Sequence, residues 1–442
     1  MLTVVIRPSA RYQYSGLTLS EFSFSCCFRQ VNFIDNMFRS SQIVKHSETD
    51  GLNRKSTLEH DAGIKPSVID LFAGVGGLSL GAARAGFTVA LAVERDKHAL
   101  VAHKKNFPKV KHSAADIRRL TGVKLLQEAG MEAGELDGLI GGPPCQGFST
   151  IGHRRAADSR NNLFRKFFAL VAECRPKFFV AENVLGILAE QYAKIRKGAF
   201  DLVSGDYVLL DPIQFKASDF GAATSRARVF FIGFRKDLAV HISKSDFEAY
   251  KVKTPTTVAK ALHGLPQRIF SKWLTEEQGW RWLVGPLPPG EFAEHIVNGI
   301  PQDIGDPEAI RRLNEESSVS GCLGTRHTPK VAARYDRLKP GQKDEISKTV
   351  RLKPDGFCPT LRAGTAADKG SYQAVRPVHP TAARVITPRE AARLQGFPDW
   401  FQFAPSKWHS FRQIGNSVSP FVAEVVLNVM LRKLFVCSTT KK

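Results

Sequence analysis

A single thiol stands in a run of residues that can hardly form a helix or a central strand. Residues 141–149 read Gly-Gly-Pro-Pro-Cys-Gln-Gly-Phe-Ser and place Cys145 directly after two prolines. The prolines fix φ and remove two backbone donors, while the glycines allow a tight path and a close approach to a ligand. The sequence therefore predicts a stiff loop that presents a nucleophile, although many free cysteines are only small buried hydrophobes.

Two further segments end in residues that can do chemistry. The apolar run 68–72 continues into a glycine turn that ends at Gly77, and the apolar run 178–181 ends in Glu182-Asn183. A glycine turn after a strand lets the backbone approach a cofactor. By itself this turn is a weak signal, because Ser79 stands where a dinucleotide-binding turn has its third glycine.

Two acidic residues follow at the ends of the next units. Glu94 comes about twenty residues after the glycine turn, at the end of a second apolar run, where an acid can accept both hydroxyls of a ribose. Asp116-Ile117 ends the following unit and suits the edge and face of an adenine. The alternative interpretation of both acids is ordinary capping at strand ends.

Taken in order, the glycine turn, the Pro-Pro-Cys loop and the strand ending in Glu-Asn resemble the cytosine-5 DNA methyltransferase family. The resemblance covers most of residues 66–235 and resumes at about 358–430, where residues 413–418 read Gln-Ile-Gly-Asn-Ser-Val. It implies S-adenosyl-L-methionine as the cofactor, and we expect Gly-Asn-Ser to form a ligand-binding turn before a helix. The positions that match the family's cofactor-lining residues are Phe72, Gly74, Gly76, Glu94, Asp116, Ile117, Pro143, Leu163, Asn416 and Val418.

The resemblance also implies covalent chemistry on a cytosine. Carbon 5 of cytosine is a poor nucleophile, so a thiolate from Cys145 first adds to carbon 6 while an acid protonates ring nitrogen 3. Glu182 is the implied acid, and burial beside an apolar strand favours its protonated form. Asn183 is expected to hold the Pro-Cys loop through amide hydrogen bonds. A buried carboxylate in an ion pair is the alternative interpretation of Glu182.

Arg226 and Arg228 are the remaining candidates. On a strand, residues two apart point the same way, so both guanidinium groups can reach one carbonyl or phosphate. The family usually has Pro-Gln just before this run, whereas this chain has Ala223-Thr224, which puts in doubt the contacts made by that glutamine. Ser419 stands where the family commonly has proline. Plain surface charge is the alternative interpretation of the two arginines.

The elements that position these residues alternate between strands and helices. Strand-like runs lie at 68–72, 88–93, 137–141, 177–181, 207–210 and 229–234, with amphipathic segments at 78–86, 96–106, 120–130 and 161–174. This alternation predicts an α/β fold with a mostly parallel sheet that binds ligands at the carboxyl ends of its strands. The resemblance implies that it is a Rossmann-like S-adenosylmethionine-dependent methyltransferase sheet. The last two runs lie too close for a helical crossover, so we expect them to be antiparallel.

The alternation stops after Phe234, which suggests several domains. We expect a disordered N-terminal extension at 1–65. With the resemblance, the pattern further implies a catalytic cofactor-binding domain at 66–235, an irregular target-recognition domain at 236–378 and a return segment at 379–435. Met37 is an alternative start. Thr387-Pro388 predicts a helix start, and an amphipathic helix from 421 to 435 is expected to pack back on the catalytic sheet. Within 236–378, repeated lysines and arginines suit DNA binding or plain solvated surface.

Composition agrees with a polyanionic partner. The 442 residues carry a net charge of +21, spread along the chain rather than concentrated in one tail. The seven cysteines form no CxxC pair or metal-ligand spacing, and no apolar run reaches the ~18 residues of a membrane span. These features agree with a cytoplasmic protein without a metal. The resemblance implies a monomeric enzyme that acts on double-stranded DNA, with a cognate restriction endonuclease as a functional partner. A tRNA cytosine-5 methyltransferase, a binding protein that has lost catalysis and an NAD-dependent dehydrogenase are the other hypotheses.

Overall fold

The glycine turn, the Pro-Pro loop and the Glu-Asn strand end lie along one edge of a mixed sheet. In the computed structural model, the described residues are 65–144, 161–238, 240–270, 279–363 and 376–436. The predicted N-terminal extension, 1–65, lies almost entirely outside them, as does Cys145. The domain boundaries proposed within 66–435 stay a prediction.

The main sheet has eight strands in the part of the chain that the structure describes. They are β1 (Ser67–Leu71), β2 (Thr88–Val93), β3 (Lys111–Ser113), β4 (Gly138–Gly141), β5 (Phe178–Asn183), β6 (Tyr207–Leu209), β7 (Ile213–Lys216) and β8 (Ala227–Arg235). The order is β3-β2-β1-β4-β5-β8-β6, and β7 also pairs with β8. The first five strands are parallel, whereas β8 is antiparallel to β5, β6 and β7.

All six predicted strand runs form strands, and the predicted antiparallel pairing of the last two is confirmed by β6 and β8. The sequence analysis missed β3 and β7. The residues of β3, Lys-His-Ser, lack the apolar pattern of a strand, and β7 follows β6 after only a few residues. Neither strand has the length or the hydrophobicity that makes a run visible in the sequence.

Helices cover both faces of the sheet. The predicted amphipathic segments form α1 (Gly77–Ala85), α2 (Lys97–Asn106), α3 (Gly122–Ala129) and α4 (Asn161–Cys174), followed by α5 (Ala193–Phe200). Short 3-10 helices occupy Ile117–Arg119, Leu185–Leu188, Glu190–Tyr192 and Ala217–Phe220. One buried cluster joins α1 to one face of the sheet, and a second joins α3 and α4 to the other.

Residues 236–378 contain more helix than the sequence predicts. The elements are α6 (Lys244–Glu248), α7 (Val258–Leu262), α8 (Glu291–Val297), α9 (Pro307–Glu316), α10 (Pro329–Asp336) and the two-stranded ladder of β9 (Arg281–Trp282) with β10 (Ser318–Val319). Much of this region is therefore more regular than the irregular domain that we expected. Helices of five to ten residues show too few turns for a clear period, although Asp306-Pro307 and Thr328-Pro329 are recognisable starts.

The chain then returns to the sheet. The helices are α11 (Pro388–Gln395), α12 (Lys407–Asn416) and α13 (Pro420–Leu431), and a π-helical turn, Arg432–Val436, follows. Thr387 and Glu390 form a capping box, so the predicted start of α11 is confirmed. The α13 helix packs on α1 in the core beside the sheet. Residues 407–435 are apolar and long enough to span a membrane, but 72% of their most apolar window is buried in the protein.

Candidate active site and cofactor pocket

Strand direction decides which side chains meet. Because β1, β2, β4 and β5 are parallel, their carboxyl ends share one edge of the sheet. The β8 strand runs the other way, so its first residues lie at the same edge. Neighbouring positions along this edge are therefore occupied by residues that long stretches of chain separate. They are the glycine turn, Glu94, Pro143, Glu182 and Arg228.

The glycine turn after β1 takes up backbone conformations that suit glycine. Phe72, Gly74 and Gly76 all have positive φ, at 59°, 59° and 104°. A Cβ on Gly76 would lie 2.4 Å from the ring of Phe107, so this position needs glycine for packing. A Cβ on Gly74 would meet nothing nearer than the carbonyl of Phe72 at 4.0 Å, which leaves open space for a ligand over the turn.

Glu94 ties the glycine turn to the end of β2. Its Oε2 accepts a hydrogen bond from the Gly74 amide at 2.9 Å, and its Oε1 accepts one from the Asp96 amide at 2.6 Å. Burial raises the pKa of Glu94 above its ordinary value. The sequence analysis predicted contact with a ribose and did not foresee that the same carboxylate positions the turn.

The Asp116 side chain is engaged by two arginines. It caps the 3-10 helix Ile117–Arg119 and accepts hydrogen bonds from Arg118, and Arg95 on the neighbouring loop lies 3.4 Å from its Oδ2. The side-chain hydrogen bond from Arg118 lowers the pKa of this carboxyl. Ile117 is buried in the core. Capping, the alternative interpretation of Asp116, is thus present, and its contact with an adenine stays a prediction.

The backbone of the Pro-Pro loop is held from two sides. Nδ2 of Asn183 donates to the carbonyl of Pro143 at 3.2 Å, and the amide of Gly142 donates to the carbonyl of Leu71 at 3.3 Å. The predicted amide hydrogen bond from Asn183 is therefore confirmed. Because the next residue in the described chain is Pro144, these two bonds fix the segment that leads directly to Cys145.

Glu182 is in contact with a guanidinium group. Nε of Arg228 lies 2.9 Å from Oε1 of Glu182, and the two side chains are only 15% and 9% exposed. Glu182 pairs in register with Phe230 of β8, so Arg228 is its diagonal neighbour on the same face. The buried ion pair considered as the alternative for Glu182 is present. A Cβ on Gly142 would lie 3.3 Å from Oε2 of Glu182, so this oxygen is close to the Pro-Pro loop.

Arg226 and Arg228 have different described partners. Nη1 of Arg226 donates to the carbonyl of Leu361 at 3.5 Å, and this arginine is only 2% exposed. Arg228 instead contacts Glu182 and the carbonyl of Ala227. Arg226 immediately precedes the first residue of β8, and its carbonyl accepts a hydrogen bond from the Ala217 amide at 2.8 Å. A common target for the two arginines stays a prediction.

Ala223 and Thr224, the two positions that depart from the family pattern, form hydrogen bonds with a distant segment of the chain. The amide of Cys358 donates to the carbonyl of Ala223 at 2.9 Å, and Oγ1 of Thr224 donates to the carbonyl of Cys358 at 2.9 Å. Ser225 adds a backbone bond to the same carbonyl. The residues before Arg226 are thus fixed by chain from the far side of the predicted target-recognition domain.

The prediction for residues 413–418 needs correction. Gly415 and Asn416 form the last turn of α12 and are not part of a loop, because the helix continues through them. The turn is formed by residues 417–419, and Oγ of Ser419, in the place of the family's proline, donates to the carbonyl of Gln395 at 2.8 Å. Asn416 is exposed, whereas Val418 is buried with its carbonyl beside Gly77. Leu163 is half-buried on α4, and its contact with the cofactor stays a prediction.

A buried polar chain lies directly beneath the glycine turn, and the sequence analysis missed it. Oγ of Ser79 donates to Oδ2 of Asp70 at 2.6 Å and lies 3.0 Å from Nε2 of His103, whose Nδ1 lies 2.9 Å from Nε2 of His112. Burial raises the pKa of Asp70 to about 7. The only sequence signal was an aspartate inside an otherwise apolar strand.

Comparison with known proteins identifies relatives over nearly the whole described chain. A family model described as C-5 cytosine-specific DNA methylase matches residues 67–432. The Type II methyltransferase M.XorII of Xanthomonas oryzae pv. oryzae is 39% identical, over 84% of this chain and 85% of that protein. M.DdeI of Desulfomicrobium norvegicum is 32% identical, over 81% of this chain and 87% of that protein.

Solved structures show the same fold. A protein described as a prophage-encoded DNA modification methyltransferase from E. coli is 50% identical, with a TM-score of 0.76, over 84% of this chain and 99% of that chain. The S. pombe Dnmt2 methyltransferase is only 16% identical, with a TM-score of 0.55, over 83% of this chain and 99% of that chain. The second likeness concerns the fold alone.

Proposed function

Because the chain belongs to the C-5 cytosine-specific DNA methylase family, we propose that it methylates carbon 5 of a cytosine extruded from duplex DNA, through a covalent Cys145 adduct. Family membership makes the protein a DNA cytosine-5 methyltransferase. The covalent route, the duplex substrate and the roles of individual residues are the proposal. The observation that supports it best is the arrangement of Glu182, Arg228 and the Asn183–Pro143 hydrogen bond at one sheet edge beside the glycine turn.

The residues at the carboxyl ends of β1 and β2 suit S-adenosyl-L-methionine. Gly74 leaves open space over the turn, Glu94 offers carboxylate oxygens beside it, and Pro143 borders the same edge. We propose that these residues, with Phe72 and the other predicted cofactor positions, hold the cofactor, which supplies the methyl group that carbon 5 takes up.

Each protein residue then has a defined task. The Cys145 thiolate forms a bond to carbon 6, and the electron pair of the carbon 5–carbon 6 double bond moves into a new carbon 4–carbon 5 double bond. The electron pair of the carbon 4–nitrogen 3 double bond moves onto nitrogen 3, which takes the proton of the protonated Glu182 carboxyl. As carbon 5 takes up the methyl group, the carbon 4–nitrogen 3 double bond re-forms and the nitrogen 3 proton returns to Glu182. Solvent water acting as a base then takes the carbon 5 proton, the carbon 5–carbon 6 double bond re-forms and the Cys145 thiolate leaves carbon 6. Arg228 orients the Glu182 carboxyl, and Asn183 fixes the backbone that carries the thiol.

The target carbon lies inside the stacked duplex, so the nucleotide must first leave the helix. Extrusion costs a few kcal/mol of stacking and pairing. The net charge of +21 gives the electrostatic part of DNA binding, which we expect to weaken steeply with salt. We propose that residues 236–378 read the DNA and that 379–435 complete the catalytic part.

Two incubations test the reaction. Labelled S-adenosyl-L-methionine with duplex DNA should give labelled DNA, whereas tRNA should stay unlabelled; labelled tRNA with unlabelled DNA would support the tRNA hypothesis instead. DNA with 5-fluorocytosine at the target should trap a covalent complex that survives denaturation, because fluorine does not leave as a proton does. The Cys145→Ser protein should form no such complex, and full activity in this variant would remove Cys145 from the mechanism.

The biological setting follows from the relatives, which are Type II methyltransferases. We propose a modification enzyme of a restriction system, a monomer in the reducing cytoplasm that a catalytic thiol requires, with a cognate endonuclease as a functional partner. Host DNA should carry 5-methylcytosine in one short sequence, and deletion of the gene should remove it. Deletion of residues 1–36 should leave activity unchanged, since the match to the family begins at residue 67.

A further inference from the structure

We propose that Ile346 is an apolar wedge that contacts the stacked bases of duplex DNA while flanking lysines bind the phosphates. The inference rests on the proposed function and adds a specific residue to it. Ile346 lies at the end of a hairpin-like loop, residues 343–350, in the predicted target-recognition domain. The argument combines the rigidity of this loop, the exposure of one side chain and the charges around it.

The loop is closed by its own backbone. Lys343 and Val350 form an antiparallel bridge, the amide of Asp344 donates to the carbonyl of Thr349 at 2.7 Å, and the amide of Lys348 donates to the carbonyl of Asp344 at 2.9 Å. Lys348 has a φ of 57°, which is unfavourable for a residue with a long side chain. The turn that presents Ile346 is thus held in a conformation that a free peptide would rarely adopt.

A buried carboxylate supports the turn from below. The Asp344 side chain is fully buried and accepts hydrogen bonds from Nε of Arg334 at 2.5 Å and from both the amide and the hydroxyl of Ser347 at 2.6 Å. Arg351, just beyond the loop, donates to the carbonyls of Tyr335 and Pro380. Two of the basic residues noted in this region are therefore structural, and they fix the loop to α10.

Ile346 is 71% exposed on this rigid support. A single exposed isoleucine is ordinary in a protein surface and would by itself carry no argument. Here, however, a strained backbone and a buried charge network hold the side chain out in solvent. Isoleucine is one of the side chains that proteins insert between base steps, where it replaces stacking lost at a distorted site.

The surrounding charges suit a polyanion, which for a DNA methyltransferase is DNA. Lys343 and Lys348 flank the tip, and Lys339 and Lys353 lie exposed at the base of the loop. Among residues 339–353 the exposed charged side chains are the four lysines and one acid, Glu345, since Arg351 and Asp344 are buried. Lysines around an apolar tip match a surface in which phosphates surround base edges.

The loop is also connected to the catalytic edge. After Lys353 the chain reaches Cys358, whose carbonyl accepts hydrogen bonds from Thr224 and Ser225 immediately before Arg226. A duplex bound at the loop is thus held by a segment that is bonded to the entry of β8. This supports a role in the extrusion of the target nucleotide and not only in general affinity.

The test compares Ile346→Ala with Val123→Ala, a matched variant because Val123 is also exposed, at 69%, but lies on α3. Binding is measured to a duplex that carries the sequence in which the enzyme methylates its cytosine, and to the same duplex with a mismatch at that target cytosine. We expect Ile346→Ala to bind the paired duplex about tenfold more weakly and the mismatched duplex within about threefold of the parent, because the mismatch already lowers the cost of extrusion. Ile346→Leu should restore binding, and Val123→Ala should match the parent.

Salt dependence separates the wedge from the lysines. The logarithm of the binding constant falls linearly with the logarithm of the salt concentration. Lys348→Ala should make this slope shallower by about 1, whereas Ile346→Ala should leave the slope unchanged. Equal DNA binding by Ile346→Ala and Val123→Ala overturns the proposal. An equal loss of affinity for the paired and the mismatched duplex, or a lower thermal unfolding midpoint of the Ile346→Ala protein, also overturns it. Binding is measured without methyl transfer, so a parent that binds duplex DNA but does not methylate it would refute the proposed function and leave this result standing.

Discussion

Gly81 provides the sharpest test of how the return segment joins the sheet. It lies in α1, and a Cβ at this position would be 2.4 Å from Cβ of Ala423 and 2.6 Å from the backbone carbon of Ala423 and the nitrogen of Glu424. Carbon atoms in contact are normally about 3.5–4.0 Å apart. Because two of the three atoms belong to the backbone of α13, no side-chain rotation can make room.

The magnitude follows from two opposing effects. Overpacking of this kind costs about 1–3 kcal/mol, and replacement of glycine by alanine inside a helix returns up to about 1 kcal/mol. With atoms this close we expect the upper part of that range, so Gly81→Ala should lower the free energy of unfolding by about 2 kcal/mol. Gly198→Ala is the matched control: Gly198 lies in α5 with nothing within 4 Å of an added Cβ, so it should gain about 0.5–1 kcal/mol.

The assay is urea-induced unfolding followed by circular dichroism, with the parent and both variants side by side. S-adenosyl-L-methionine binding should also weaken in Gly81→Ala, because α13 begins two residues after Val418, whose carbonyl lies beside Gly77. Gly198→Ala should bind the cofactor as the parent does. If Gly81→Ala proves as stable as Gly198→Ala, the close packing of α1 on α13 is wrong.

Three further changes probe buried groups. Asp70→Asn should flatten the dependence of stability on pH. In the parent the pKa of Asp70 is about 7 in the folded state, above the ordinary 3.8, so the contribution of Asp70 to stability is fully present below about pH 4 and is lost as the pH rises through about 7, by up to about 4 kcal/mol. Unfolding titrations at several pH values measure this loss. Asn183→Ala removes the hydrogen bond to Pro143 and should lower kcat about ten- to a hundredfold. The affinity for S-adenosyl-L-methionine should fall much less, because Pro143 is one of several proposed cofactor positions; strongly weakened cofactor binding with unchanged kcat would contradict this. Arg393→Leu leaves Asp399 buried without its bidentate partner and should destabilise the protein by about 3–5 kcal/mol in urea unfolding. Replacement of Asp399 by leucine in the same protein should recover part of this loss.

The sequence by itself was enough to predict the elements that carry the chemistry. The apolar runs at 66–235 form strands, and the amphipathic segments there form helices, within about two residues of their predicted bounds. The glycine turn at 72–77 and the Glu-Asn pair at 182–183 lie at the carboxyl ends of parallel strands. These features are encoded by neighbouring residues, since backbone restriction by proline and glycine and the periods of hydrophobicity act over a few positions.

Contacts between distant residues needed the tertiary structure. The pairing of Arg228 with Glu182 depends on β8 running antiparallel to β5, and the helical state of Gly415 and Asn416 depends on how α12 packs. No local pattern encodes the fit of Gly81 against Ala423 or the support of Ile346 by a buried Asp344. Such contacts join positions that only the folded chain brings together, because hydrophobic burial is non-directional and the register of packed elements selects which side chains meet.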